Sequence, residues 1–210
     1  CARFKLSTAG VAAHSSVPHE GENAIYYMME LIRFIQEQEA AKLAKVNHPL
    51  CGAPTIVVST IKGGQQINIV PDHCEIEVDR RIIPGENCDQ VLEAFQQQVT
   101  AFAQERGFQV QMDTLLKDYA LDTPADAAIV HYAQQTAMQC GIEAEPIGVS
   151  YGSDASKLQQ VAQIPSIVFG PGSIAQAHSN EEWVPIAQIE QAAEFLLQLA
   201  LNYGKERARS

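Results

Sequence analysis

The residues able to do chemistry include two histidines, an arginine, an asparagine, an aspartate and one glycine-rich turn. His14 stands in Ala12-Ala13-His14-Ser15-Ser16-Val17-Pro18, among small residues that leave its ring accessible. A histidine there could aim a hydrogen-bond donor at a ligand, although a lone loop histidine is more often silent. His178 follows Val168-Phe169-Gly170-Pro171-Gly172-Ser173. In that run an apolar strand is expected to lead into a turn whose backbone N–H groups, at Gly172 and Ser173 among others, are free to hold an anion. His178 is thus a candidate metal ligand, with Glu182 close behind, but a catalytic zinc needs about three protein donors. Asn68, Arg81 and Asp154 are the remaining polar candidates. Arg81 could hold a carboxylate through a two-pronged hydrogen bond. It could equally pair with Asp79 or Glu77 on an exposed strand face, the commoner fate of a surface arginine.

A rival constellation uses Gly148-Val149-Ser150-Tyr151-Gly152, which matches the Gly-x-Ser-x-Gly nucleophile elbow. Asp154 and His178 complete the order Ser, Asp, His. The acid would lie only four residues beyond the serine, the strands of a hydrolase sheet that should precede it are missing, and so short a pattern recurs by chance.

The elements that must position these residues follow from periodicity. Phe4 to Thr8 reads as a strand, with Gly10 loosening the chain before the His14 loop. Ile25, Met28, Met29, Ile32 and Ile35 recur at helical spacing from Glu22 to about Lys45. Pro54 to Ile61 reads as a strand closed by Gly63-Gly64, and Cys74 to Ile82 alternates apolar Ile76 and Val78 with Glu75, Glu77 and Asp79. After the Pro84-Gly85 turn, Asp89 is the expected N-cap of a helix over Val91, Leu92, Phe95, Val99 and Phe102, ended by Gly107. Phe108 to Met112 reads as another strand. Strand, helix, strand, strand, helix, strand is the order of a two-layer, ferredoxin-like α+β sandwich.

Beyond Leu116 the rhythm changes: helix 125–139, strand 146–149, helix 155–162, strand 164–170 and helix 186–203 predict α/β layering with a parallel sheet. Two strands are few for such a sheet, so this part reads as half of a domain, and a boundary is expected near Leu116.

The chain has 210 residues, 46% hydrophobic and 19% charged, an ordinary globular composition that excludes intrinsic disorder. A net charge of −11 argues against nucleic acid or an anionic membrane as partner, since both need a cationic face. No segment is apolar enough to span a bilayer. Five scattered cysteines with no Cys-x-x-Cys pair suggest neither a disulfide framework nor a cysteine zinc site, and point to reduced thiols in a cytoplasmic protein.

Taken in order, Ala13-His14-Ser15-Ser16-Val17-Pro18 with Gly21-Glu22-Asn23-Ala24-Ile25, then Ile67-Asn68-Ile69-Val70-Pro71-Asp72, Val78-Asp79-Arg80-Arg81-Ile82-Ile83-Pro84-Gly85-Glu86, Tyr151-Gly152-Ser153-Asp154-Ala155, Phe169-Gly170-Pro171-Gly172-Ser173 and Ala177-His178 with Glu182 resemble the zinc-dependent aminoacyl hydrolases. That family comprises the acetylornithine deacetylases, succinyl-diaminopimelate desuccinylases, aminoacylases and carboxypeptidase G. The last block is closest in wording to the first of these. The resemblance implies an α/β catalytic domain carrying two zinc ions, with cobalt or manganese as possible substitutes, interrupted by a lid through which two subunits pair. Residues 1–116 would be the lid and 117–210 the C-terminal part of the catalytic domain.

The resemblance further implies roles. His178 matches the last zinc ligand, and His14 the lid histidine that reaches into the partner's active site and polarises the scissile carbonyl. Asn68 and Arg81 match lid positions that hold the substrate, Arg81 through its carboxylate, and the turn with Gly172 and Ser173 matches a loop lining the pocket. The implied reaction is deacylation of an N-acyl amino acid such as N-acetylornithine. The family's other metal ligands and its base precede the lid, and nothing before His14 holds them. The chain is therefore expected to be a fragment, and inactive on its own. The rival classes are a non-catalytic dimerisation module and a serine hydrolase using Ser150.

Overall fold

The structure, a computed structural model, describes residues 1–177 and 180–207. It divides into two compact units, Cys1–Ala120 with Val149–Gly152, and Leu121–Gly148 with Ser153–Ser210.

The first unit is built on four strands, β1 (Ala2–Ala9), β2 (Ile56–Gly63), β3 (His73–Arg80) and β4 (Val110–Lys117), hydrogen-bonded in the order β2-β3-β1-β4 with every pair antiparallel. The register Phe4↔Val78 and Leu6↔Ile76 puts like residues opposite one another. Because side chains alternate across a pleated strand, Ala2, Phe4, Leu6 and Thr8 share one buried face with Cys74, Ile76, Val78 and Arg80. That face is covered by α1 (Ala24–Phe34) and α3 (Cys88–Glu105). Phe4 packs on Phe95 with ring centroids 4.9 Å apart, and Tyr27 stacks on Phe108 at 4.8 Å. The other face is a lattice of charge, with Arg3 on Asp79 at 2.9 Å, and Lys5, Lys62 and His73 around Glu75 at 3.5, 3.9 and 3.7 Å. Exposed pairs of this kind contribute little stability each but keep the face polar. The connectivity is the ferredoxin-like one expected.

The helices depart from expectation in detail. Asn23 caps α1, its Oδ1 accepting from the Ile25 and Tyr26 amides. The helix then widens into a π-helical segment, Ile35–Glu39, before α2 (Ala40–Leu43). The buried stripe is Ala24, Met28, Leu31, Phe34 and Ile35, so Met29, expected to be inward, is exposed. Asn87, not Asp89, caps α3, because its carboxamide accepts from the Asp89 and Gln90 amides. Gly107 ends α3 with a paired closure, Phe108 N–H to Ala103 O at 3.0 Å and Gly107 N–H to Gln104 O at 3.2 Å.

The second unit holds α4 (Ala128–Gln139), α5 (Ala155–Gln160) and α6 (Ile186–Arg207). Tyr132 meets Tyr203 edge-on at 5.5 Å and Phe169 stacks on Phe195 at 3.9 Å. The strands expected at 146–149 and 164–170 do not form among the described residues. A strand exists only where its backbone finds a partner. Here Ser166 instead exchanges hydrogen bonds with the Thr123 hydroxyl, and no ladder is available. The parallel layering predicted for this part is thus corrected to helices joined by irregular chain.

Candidate functional site

The His14 loop is tied down along its whole length. Gly10 does not loosen it: a Cβ at this position would lie 2.0 Å from Glu22 O, so glycine is what lets the end of β1 approach the chain entering α1. The Val11 and Glu22 amides and carbonyls exchange two bonds of 2.9 Å. The Val70 amide donates to Ala13 O at 2.8 Å and the Ser15 amide to Asn68 O at 3.0 Å, closing a bridge between His14 and Ile69. Two residues 54 positions apart in sequence, His14 and Asn68, therefore sit side by side, both exposed, at the end of the sheet where β1 finishes and β3 begins. The His14 ring is held through Nδ1, which lies 2.7 Å from Ser16 Oγ and accepts from the Ser16 amide at 3.2 Å.

Arg81 stands at the opposite end. Ala9 pairs with His73 and Ala2 with Arg80, so the two positions adjoin opposite ends of β3, whose eight residues span roughly 23 Å at about 3.3 Å per residue. The Arg81 amide donates to Thr55 O at 2.8 Å, and its Nε contacts Asp79 Oδ1 at 2.8 Å while Arg3 Nε donates to Asp79 Oδ2 at 2.9 Å. The pairing with Asp79 weighed from the sequence is present. It occupies Nε, and the side chain is about half exposed.

Behind Arg81 lies a pair that sequence reasoning missed. Arg80 is 5% exposed, and its Nη2 contacts Glu86 Oε1 at 2.6 Å while its Nη1 donates to the Arg81 carbonyl. Glu86 Oε2 accepts from the Ile83 amide at 3.1 Å. Between them Ile83-Pro84-Gly85-Glu86 makes a turn, Glu86 N–H to Ile83 O at 3.1 Å, with Gly85 at φ +86 as a type II turn requires. The signal was parity: Arg80 falls on the inward side with Ile76 and Val78, and an inward guanidinium needs a carboxylate.

In the second unit, the Gly172 amide is not free for an anion, because it donates to Gln188 Oε1 at 2.8 Å. Ser173 caps the short 3-10 turn Ile174–Gln176, its Oγ accepting from the Ala175 amide at 3.3 Å. His178 lies outside the described residues. Ser150 is exposed and follows no strand, which removes the elbow geometry. Asp154 is held by Lys157 Nζ at 2.8 Å, whose hydrogen bond and charge keep the carboxyl below its ordinary range. Among the described residues no three His, Cys, Asp or Glu side chains converge to hold a metal, so they do not by themselves form a metal centre. No helix among them is long and apolar enough to cross a membrane. None of the five cysteines is in a disulfide.

A βαββαβ sandwich with one polar sheet face and a histidine loop pinned at one end is the class of unit that these elements define. The chain belongs to the peptidase dimerisation domain family of the M20 peptidases, whose profile matches residues 1–106. This is the group of zinc aminoacyl hydrolases that the ordered motifs resemble. Relatives include the acetylornithine deacetylase of Myxococcus xanthus, 28% identical over 207 residues, which cover 95% of this chain and 52% of that protein. Another is the acetylornithine deacetylase of Edwardsiella ictaluri, 30% identical over 201 residues, 94% of this chain and 51% of the relative. Among solved structures, a tripeptidase of Staphylococcus aureus superposes with a TM-score of 0.72 at 24% identity, covering 94% of this chain and 50% of that one. An M20 metallo-carboxypeptidase of Sulfolobus solfataricus does so at 0.69 and 16%, covering 94% and 57%. The chain spans about half the length of the curated relatives it matches.

Proposed function

We propose that this chain is the lid, residues 1–116, and the C-terminal part of the catalytic domain, residues 117–210, of a metal-dependent deacylase of N-acyl amino acids such as N-acetylornithine. The isolated chain is inactive. The observation that carries the reading is the placement of His14 beside Asn68 on one end of a sheet that matches a dimerisation domain. Two zinc ions, or cobalt or manganese in their place, belong to this reading, with His178 as one ligand. The described residues supply no metal site, so the chemistry assigned below stays on the side chains of this chain.

His14 donates to the oxygen on which charge develops when the amide carbonyl is attacked, and Asn68 hydrogen-bonds the acyl amino acid beside it. Arg81 pairs with the substrate carboxylate through the Nη edge that Asp79 leaves open. Its separation from His14 exceeds the length of an acylated amino acid, so one lid cannot serve one substrate with both groups. His14 and Asn68 in a site come from one copy, and Arg81 from the other.

The pairing surface in this reading is β2. It is an edge strand with one side unpaired, it carries Val57 and Ile61 at 55% and 56% exposure, and no proline interrupts it. An edge of this kind is a template for a second copy's β2.

The test uses an enzyme completed with the half of its relatives' length that this chain does not span. His14→Ala is expected to lower kcat roughly a hundredfold, the usual loss of one oxyanion donor. Arg81→Ala is expected to raise KM. Dimers mixed from the two impaired variants regain one site with both groups intact, whereas in dimers of wild type with a chain carrying both substitutions each site lacks one of the two groups and neither keeps full activity. Failure of the mixed dimers to recover activity overturns the two-copy site. A kcat loss below threefold in His14→Ala overturns the role of His14.

A further inference from the structure

The way His14 is held defines which of its nitrogens carries the proton. Both hydrogen-bonding groups of Ser16 converge on Nδ1, the hydroxyl at 2.7 Å and the backbone amide at 3.2 Å. A backbone amide can only donate, so the nitrogen it faces presents a lone pair, and the rotatable hydroxyl then donates to the same lone pair. A neutral imidazole has a single N–H. With Nδ1 accepting, that hydrogen is on Nε2, the nitrogen facing away from Ser16.

The backbone on either side is already fixed by bonds independent of the ring: Val70 N–H to Ala13 O at 2.8 Å, Ser15 N–H to Asn68 O at 3.0 Å and Val17 N–H to His14 O at 2.9 Å. What these bonds leave undetermined is the rotation of an exposed ring and the choice of tautomer. The Ser16 contacts act on those two freedoms alone. A ring free to exchange tautomers would present a lone pair to a developing negative charge for part of the time, and a lone pair repels it.

We propose that Ser16 is a positioning residue that holds His14 as the Nε2–H tautomer, aiming a hydrogen-bond donor out of the loop. The proposal deepens the reading of His14 as an oxyanion donor and rests on it. No proton changes owner in this role: Ser16 donates to Nδ1 throughout, and Nε2–H donates to the substrate oxygen.

The tautomer is read directly in the 210-residue chain, without turnover, by long-range proton–nitrogen correlation spectra of histidine-labelled protein at about pH 8, above the ordinary imidazole range. Wild type is expected to show His14 Nδ1 as the unprotonated nitrogen and Nε2 as the protonated one. Ser16→Ala is expected to move both resonances toward the tautomer-averaged positions, Ser16→Thr to return them, and His19 in the same loop to be unchanged in either variant. In the completed enzyme Ser16→Ala lowers kcat by about three- to thirtyfold, less than the roughly hundredfold loss of the donor itself, leaves KM within twofold, and is rescued by Ser16→Thr. A protonated Nδ1 in wild type, or His14 resonances that do not respond to Ser16→Ala, overturns the proposal whatever His14→Ala does. If the resonances respond but His14→Ala leaves kcat intact, the oxyanion reading is what fails, and the catalytic consequence of Ser16 falls with it.

Discussion

Glu86→Ala isolates the buried pair behind Arg81. It leaves the Arg80 guanidinium, 5% exposed in the wild type, with only the Arg81 carbonyl as acceptor, and it strands the Ile83 amide that Glu86 Oε2 now receives. Breaking a buried ion pair by removing one partner costs about 3 to 5 kcal/mol. The Glu86 side chain is 21% exposed, so water can enter the space it vacates, which reduces the expected cost to about 2 to 3 kcal/mol. Arg80→Met is the contrasting change: it removes the charge, keeps an apolar stem among core neighbours, and leaves a carboxylate that water already reaches, at a cost of about 1 kcal/mol or less.

The assay must report on the right unit. The chain's one tryptophan, Trp183, belongs to the second unit, so its fluorescence says nothing about this pair. Hydrogen exchange of the Leu6, Ile76 and Val78 amides, which open with the sheet, is the suitable probe. The expected acceleration for Glu86→Ala is roughly 30- to 150-fold, the equivalent of about 2 to 3 kcal/mol at 1.36 kcal/mol per decade, and below tenfold for Arg80→Met. Equal effects of the two variants, or an acceleration by Glu86→Ala of less than fivefold, would refute the view that an unpaired buried guanidinium is the destabilising element.

Val57→Lys with Ile61→Lys puts two charges on the open edge of β2 and is expected to weaken self-association of the chain at least tenfold, about 1.4 kcal/mol, in sedimentation equilibrium; unchanged association would remove β2 from the interface. Gly85→Ala forces an L side chain into φ +86 and is expected to cost about 1 to 2 kcal/mol in the same exchange experiment, with no penalty meaning that the turn is not type II. Burial pushes the Cys74 and Cys88 thiols up. Stability from these thiols is therefore fully present below their unfolded pKa and lost as pH rises through the folded one. Replacing both by Ala should flatten the fall of stability that sets in as pH rises through the ordinary thiol range, and a fall of unaltered steepness would contradict the assigned cause.

Part of this protein is written locally. The alternation of Cys74 to Arg80, the helical spacing around Leu92, Phe95 and Val99, and the Pro84-Gly85 turn each depend on neighbours within a few residues, so the βαββαβ order is legible in the sequence. Capping residues were less legible. Asn87 and Asp89 are both good caps by type, and the choice between them rests on which carboxyl or amide oxygen meets the N–H groups of the first turn. The strands expected at 146–149 and 164–170 failed because apolar runs report only a wish to be buried, whereas a ladder needs a second backbone.

The candidate residues divide in the same way. Residue type and spacing along the chain were enough to single out His14, Asn68 and Arg81, and to set Asp79 beside Arg81. Only the tertiary structure could show that His14 and Asn68 are neighbours and Arg81 is a sheet's length away, that Arg80 faces inward onto Glu86, and that Ser16 occupies Nδ1 of the imidazole. The physical reason is range. Pattern fixes what a residue is and which way its strand or helix faces, but distance and hydrogen-bond direction are set by antiparallel register between segments far apart in the chain, and those two quantities are what chemistry requires.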